Sequence, residues 1–202
     1  MKKNLVTAVL MTIATTVLLG IVYPLLVTGL AQVLFRDQAN GQVILKDGKV
    51  LGSRIIGQGF SSPEYFHSRP SAVNYDPTNS NGSQLGPTNQ KLIDRVEASV
   101  AELRKENPNA PVPIDLVTAS ASGFDPHITP AAAAFQIPRV AKAWGVSEDQ
   151  LRQLVARHTE GRQLGFLGEP RVNVLELNLD LQQQFPTATR AATNRATRNA
   201  TR

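Results

Sequence analysis

The sequence predicts an α+β protein, with one N-terminal transmembrane helix followed by a mainly helical external domain that carries a few short strands. Three observations lead there. An uncharged apolar run opens the chain, helical periodicities framed by cap residues recur downstream, and short apolar stretches flank an Asp-Gly turn.

From Asn4 to Phe35 no residue is charged, a run of 32 positions whose apolar heart extends from Leu5 to Leu26. A spanning helix needs about 20 such residues at 1.5 Å rise each. Thr7, Thr12, Thr15 and Thr16 are compatible with lipid because a hydroxyl can hydrogen-bond the carbonyl one turn back. Pro24 predicts a kink near the outer end. A cleaved signal peptide is the alternative, since Gly29-Leu30-Ala31 ends in small residues, but the run exceeds the roughly 7–15 residues of a signal core. Lys2 and Lys3 flank the N-terminal end, whereas Arg36 is offset by Asp37, which puts the N-terminus in the cytoplasm and the rest outside.

Beyond the span, Gln42–Leu45 and Lys49–Leu51 read as a strand pair around Asp47-Gly48, and Arg54-Ile55-Ile56-Gly57 as a further strand. Ser61-Ser62-Pro63, Arg69-Pro70-Ser71 and Asn79–Pro87 are too rich in turn formers for a regular element. Tyr65, Phe66 and Tyr75 among them predict an ordered loop packed on the body. Over 89–105, Leu92, Ile93, Val96, Val100 and Leu103 recur at helical spacing, and Asn107-Pro108 ends the helix. Over 129–144, Thr129 is the N-cap, Pro130 opens the helix and Gly145 stops it in the left-handed region. Pro138 leaves two short helices or one kinked helix as the alternatives. Ser147 and Gln150 form a capping box, with Val146 and Leu151 as a hydrophobic staple. Asn173 caps a last helix with Val174, Leu177 and Leu181 on one stripe, although alternation at Leu177, Leu179 and Leu181 keeps a strand open.

The organisation expected is a cytoplasmic N-terminus (1–6), a transmembrane helix (7–29), an external, periplasmic domain (36–185) and a disordered Arg/Thr/Ala tail (186–202). The net charge of +5 comes from the ends. Of 21 basic residues, Lys2, Lys3, Arg190, Arg195, Arg198 and Arg202 account for six, leaving 15 against 16 acidic ones in 4–189. A nucleic-acid binder carries its positive charge on the folded body, so nucleic acid is not an expected partner. There is no cysteine, which removes disulfides, thiolate metal sites and cysteine nucleophiles together.

Three blocks remain. The first is Tyr65-Phe66-His67-Ser68-Arg69-Pro70-Ser71-Ala72 with Tyr75-Asp76, continuing into Ser80–Asn89. The second is Val112–Gly123 followed by Asp125-Pro126-His127-Ile128-Thr129-Pro130, and the third is Gly168-Glu169-Pro170-Arg171-Val172-Asn173 through Asn178. In this order behind the span, they resemble the KdpC family, the C subunits of the Kdp potassium-transporting ATPases, over about residues 1–185. Two features depart from the family: the tail runs on past the usual end, and Trp144 stands where a basic residue is expected.

The resemblance implies a non-catalytic subunit of an ATP-driven potassium-uptake complex in the inner membrane, which assembles or stabilises it. It also implies a role as a catalytic chaperone that raises the ATP affinity of the ATPase subunit. The implied partners are a channel-like potassium-binding subunit, a P-type ATPase subunit, a small single-span subunit and the lipid bilayer. ATP and K+ are then handled by the complex, with no cofactor bound directly by this chain. Capping of the channel-like subunit by the external loops, and close helix approach at Thr15, Thr16 and Gly20, are the contacts envisaged.

Beside that resemblance, the chain's own residues offer few candidates for chemistry. No Gly-x-x-x-x-Gly-Lys-Ser/Thr loop is present. Asn81-Gly82-Ser83-Gln84 is faintly similar to the signature loop of ABC transporters, making Ser83 and Gln84 weak nucleotide candidates. Ser120 or Ser122, His127, and Asp125 or Asp115 supply the residue types of a hydrolytic triad, but Asp125-Pro126-His127 reads more simply as a turn into a helix cap. His67, His127 and His158 lack the spacing of metal ligands. No catalytic or metal residue is therefore expected. The alternative function is a membrane-anchored periplasmic binding or hydrolytic module acting alone.

Overall fold

A computed structural model describes residues 1–186, so the expected tail lies outside the described residues except for Pro186. The chain divides into two compact units, Met1–Leu51 and a second beginning at Gly52.

In the first unit a continuous helix runs from Lys2 to Leu34, 33 residues with a mean hydropathy of 2.4 in its most apolar window. It is α-helical over Lys2–Thr15 (α1) and Tyr23–Leu34 (α2) and π-helical over Thr16–Val22 between them. No residue of these three stretches is buried, and Leu5, Leu18 and Leu25 are all more than half exposed. A helix that is apolar all round and unburied by protein suits an apolar medium. The hydroxyls of Thr7, Thr12 and Thr15 donate to the carbonyls of Lys3, Ala8 and Met11 at 2.8–2.9 Å, so these polar groups are satisfied within the helix. Pro24 has no N–H to offer the turn before it, and its ring crowds the carbonyl of Gly20. The helix answers with wider π turns immediately upstream.

After a short helix, Arg36–Ala39 (α3), the strands Val43–Lys46 (β1) and Lys49–Ser53 (β2) pair as the sequence predicts. Asp47 and Gly48 both take positive φ, 51° and 75°, the left-handed pair a two-residue hairpin turn requires.

In the second unit, Arg54–Gly57 is a turn rather than the strand expected from its β-branched pair. Tertiary contacts override propensity here: the Asn173 amide donates to the Arg54 carbonyl at 2.7 Å, and the Gly57 N–H donates to the Phe124 carbonyl at 2.8 Å. A Cβ on Gly57 would lie 2.4 Å from the Asp125 carbonyl oxygen, so only glycine permits this approach. The following residues to Asn89 form neither helix nor strand, yet Phe66 is fully buried.

Helix α4, Gln90–Glu106, is capped by the Asn89 side chain, which accepts from the Lys91 N–H. After a single 3-10 turn at Ile114–Leu116 come β3 (His127–Ile128), α5 (Pro130–Trp144), α6 (Glu148–Arg157), β4 (Thr159–Glu160), β5 (Arg171–Asn173) and α7 (Val174–Gln184). The predicted caps are all present: Thr129 accepts from Ala132, Ser147 and Gln150 form both halves of their box, and Gly145 ends α5 at φ 68°. Asn173 caps α7 through the Glu176 N–H, which settles that segment as helix. Of the two forms open at Pro138, α5 takes the unbroken one. The side-chain amide of Asn107 donates to the Phe135 carbonyl at 2.9 Å, satisfying a backbone group in the turn the proline disturbs.

The sequence does not announce the three-stranded antiparallel sheet, in the order β3-β5-β4. Val172 lies in its central strand, opposite both Ile128 and Thr159, and is fully buried. The core joins Phe66, the inner faces of α5 and α6 (Phe135, Ile137, Val140, Leu151, Leu154), Val172, and Leu177 and Leu181 of α7.

Candidate functional site

The first and second sequence blocks fold against one another, and the third supplies the floor beneath them. Extended backbone enters the core at Phe66-His67, where its N–H and C=O groups need partners. Two buried side-chain amides provide them. Asn178 of α7 accepts from the Phe66 N–H and donates to the Phe66 carbonyl, both at 2.9 Å. Gln136 of α5 accepts from the His67 N–H at 2.7 Å and donates to the His67 carbonyl at 3.1 Å. These amides are 2% and 1% exposed, so each stands where a neighbouring strand would stand in a sheet.

Arg139 ties the same loop to α4. Its guanidinium donates to the Glu106 carboxylate at 2.7 Å, to the Pro63 and Tyr65 carbonyls and to Gln136 Oε1. Trp144, in place of the basic residue expected, is buried and donates its indole N–H to the Glu64 carbonyl at 2.5 Å. It meets Tyr65 edge to face at 6.5 Å between ring centroids. Burial, with the Arg139 charge nearby, pushes the His67 imidazole below its usual pKa, and the ring contacts the Ser62 carbonyl at 3.0 Å.

On the other side of the loop, Arg69 and Asp125 pair at 3.0 Å. Burial alone would raise the Asp125 carboxyl, but hydrogen bonds from His127 and Arg69, with the Arg69 charge, hold it below the usual carboxylate range. The Tyr75 hydroxyl donates to the Arg69 carbonyl, and burial raises its pKa. Asp115 is buried and accepts from the Thr129 N–H at 2.6 Å, fixing the entry to α5.

The residues considered for catalysis are thus partly assembled. Asp125 and His127 are neighbours: the carboxylate accepts the His127 backbone N–H at 3.0 Å and lies 3.7 Å from Nδ1. The serines are committed to turns, with Ser120 Oγ accepting from Gly123 and Ser122 Oγ from Phe124. The nucleotide candidates lie on the outer part of the same junction. Gln84 is exposed and donates to Asn81 Oδ1 at 2.7 Å, while Ser83 is half-buried beside Gly82, which rests on the Ala121 carbonyl. The next helix begins only at Gln90, so no helix N-terminus opens directly behind Ser83 and Gln84. His67, His127 and His158 remain apart, His158 pairing with Asp180 at 2.8 Å. Among the described residues no three His, Asp or Glu side chains gather as a metal site.

Sequence reasoning missed Gln136 and Arg139, and it marked Asn178 as the end of the third block without its role. Nothing local marks them, because a polar residue on an amphipathic helix reads as part of its wet face. What the junction offers chemically is a rigid surface: its polar groups are largely committed to holding backbone.

The chain resembles known proteins along nearly its whole length. The family model described as "KdpC: K+-transporting ATPase, c chain" matches residues 5–183. A potassium-transporting ATPase KdpC subunit from Koribacter versatilis (strain Ellin345) is 66% identical over 191 residues, covering 94% of this chain and 99% of that protein. One from Rhodopseudomonas palustris (strain BisB18) is 53% identical over 195 residues, covering 90% and 98%. Another from Methylobacterium nodulans is 51% identical over 197 residues, covering 91% and 98%. With an N-terminal helix long and apolar enough to span a membrane, an α+β body and three interlocked sequence blocks, this chain belongs to the KdpC family.

Proposed function

We propose that the chain is an accessory subunit of an ATP-driven potassium pump, holding the complex together without a catalytic site of its own. The observation that carries this reading is the family match over residues 5–183, which takes in both the span and the folded body. The fold supports the non-catalytic part, since the serines and Asp115 that could serve a hydrolase hold backbone N–H groups instead. The partners are a channel-like potassium-binding subunit, a P-type ATPase subunit and a small single-span subunit, and residues 7–29 lie in the inner membrane. Lys2 and Lys3 keep the N-terminus cytoplasmic and residues 36–185 outside. On that topology Ser83 and Gln84 face away from cellular ATP, so any rise in nucleotide affinity of the ATPase subunit is transmitted through the membrane helix.

Co-purification in mild detergent tests the assembly. A tagged chain should bring down a large P-type ATPase whose activity is potassium-stimulated, whereas a monodisperse solitary protein would favour the lone module. If deleting residues 36–185 left assembly and stimulated ATPase activity intact, the external domain would not be the working part. Topology is testable separately. The chain has no native cysteine, so the exposed Asn109→Cys variant should react with a membrane-impermeant maleimide on intact spheroplasts; protection until lysis would reverse the orientation.

A further inference from the structure

The hairpin β1-β2 leaves an apolar face uncovered close to the end of the membrane helix. Its strands form a sheet of only two, which is marginal unless an apolar face is buried against something. The two-residue turn at Asp47-Gly48 sets Leu45 opposite Val50, and alternation puts Val43 on the same face. Val43 is 45% exposed, Leu45 64% and Val50 67%. Lys46 and Lys49 stand opposite one another on the other face, both exposed. Like charges directly opposite repel, and neither lysine pairs with an acidic side chain among the described residues.

Position and charge together indicate what covers that face. As far as Leu51, the hairpin belongs to the same compact unit as the helix. The connection between them is hydrogen-bonded rather than free. The Asn40 and Gln32 side-chain amides exchange bonds at 3.2 and 3.4 Å, tying the turn back to the last part of the helix. Asn40 Nδ2 also donates to the Arg36 carbonyl at 2.6 Å, and the Gln42 N–H donates to the Asp37 carbonyl at 3.0 Å. The helix stays apolar to its end, with Val33, Leu34 and Phe35 all more than half exposed. An element that follows such an end is continuous with the membrane surface. There, a segment lying in the interface carries one apolar face and basic residues on the other, for anionic headgroups. β1-β2 has that division, as the strand counterpart of an interfacial amphipathic helix. A buried protein contact would leave its two lysines repelling each other without an anion between them.

We infer that β1-β2 lies in the headgroup layer of the bilayer, with Val43, Leu45 and Val50 towards the acyl chains and Lys46 and Lys49 on lipid phosphates. The inference rests on the reading under Proposed function that residues 7–29 span the membrane. It gives the chain a second hold on the bilayer, beside the span.

The test uses the full chain, which has no native cysteine, in vesicles of phosphatidylethanolamine and phosphatidylglycerol. A polarity-sensitive fluorophore on Leu45→Cys should emit blue-shifted and be quenched by nitroxides carried on lipid just below the headgroups. Lys46→Gln with Lys49→Gln should weaken the surface-bound state about fivefold per lysine, and so should replacing phosphatidylglycerol by phosphatidylcholine. In the assembled pump, benzoylphenylalanine at position 45 should form adducts with phospholipid. A label at 45 that emits as in water, a lysine variant quenched as fully as the parent, or adducts with protein alone would overturn the hairpin's placement and leave the span standing. A chain that does not float with the vesicles would overturn the span, and the hairpin's placement with it.

Discussion

Helix α4 and the segment from Gly57 to Tyr75 reverse the usual association between regularity and burial. The helix has a good cap, a predicted periodicity and 17 residues, yet none is buried, and of its apolar stripe Leu103 alone packs against the core cluster. The segment has no helix or strand, yet holds Phe66 at 0% exposure. The difference lies in where backbone hydrogen bonds go. In α4 they close within the helix and ask nothing of the rest of the molecule. In the segment they are closed by Asn178, Gln136, Arg139 and Trp144 from other elements, so its conformation is a tertiary property.

If that contrast holds, damage should follow tertiary bonding rather than regular structure. Trp144, the single tryptophan and 6% exposed, reports the core in the intact chain. Phe66→Ala should have the largest effect, about 3–5 kcal/mol, because an aromatic side chain is removed from a site without room to collapse. Asn178→Leu keeps the volume but leaves the Phe66 N–H and C=O unpaired in the core, for about 2–4 kcal/mol. A variant as stable as the parent would show that water replaces the amide and that the clasp is dispensable. Asn89→Ala removes the α4 cap and should cost only about 1 kcal/mol. A larger loss would mean that α4 supports the body more than its exposure indicates.

The Arg69–Asp125 pair sharpens the comparison through pH. The folded Asp125 carboxyl sits below its ordinary value, so the unfolded chain binds its proton first. The stabilisation is fully present above the ordinary carboxylate range and is lost as pH falls below about 4, through the folded value. Asp125→Asn should therefore lower the unfolding temperature at neutral pH, with the gap to the parent closing as pH falls below the ordinary carboxylate range. A gap that widens in acid would contradict the assignment.

The legible parts of this fold were those decided within a few residues. Thr129, Ser147 with Gln150, Asn173 and Gly145 act on their own helix ends, and each took its expected geometry. Two-residue strands such as His127–Ile128 and Thr159–Glu160 have no period to detect, and they exist because β5 lies between them. Arg54–Gly57 misled for the converse reason, since its β-branched residues describe a strand and its partners Asn173 and Phe124 impose a turn. At the candidate site the block residues stood out in sequence, Asn178 among them, but the clasping role of Asn178 and Gln136 did not. A buried Asn178 one residue from Leu177 differs from an exposed asparagine only in what the rest of the chain brings to it.

The clasp also bears on the order in which the body assembles. Its two amides join positions 112 and 69 residues apart, and they sit on different helices. Phe66-His67 cannot find its partners until α5 and α7 are both in place, and closing such long loops is entropically slow. The segment is therefore expected to dock late, after the transition state. Asn178→Leu should leave the refolding rate nearly unchanged and place its loss on the unfolding limb. That makes the clasp a latch on lifetime: it governs how long the folded body lasts rather than how quickly it forms.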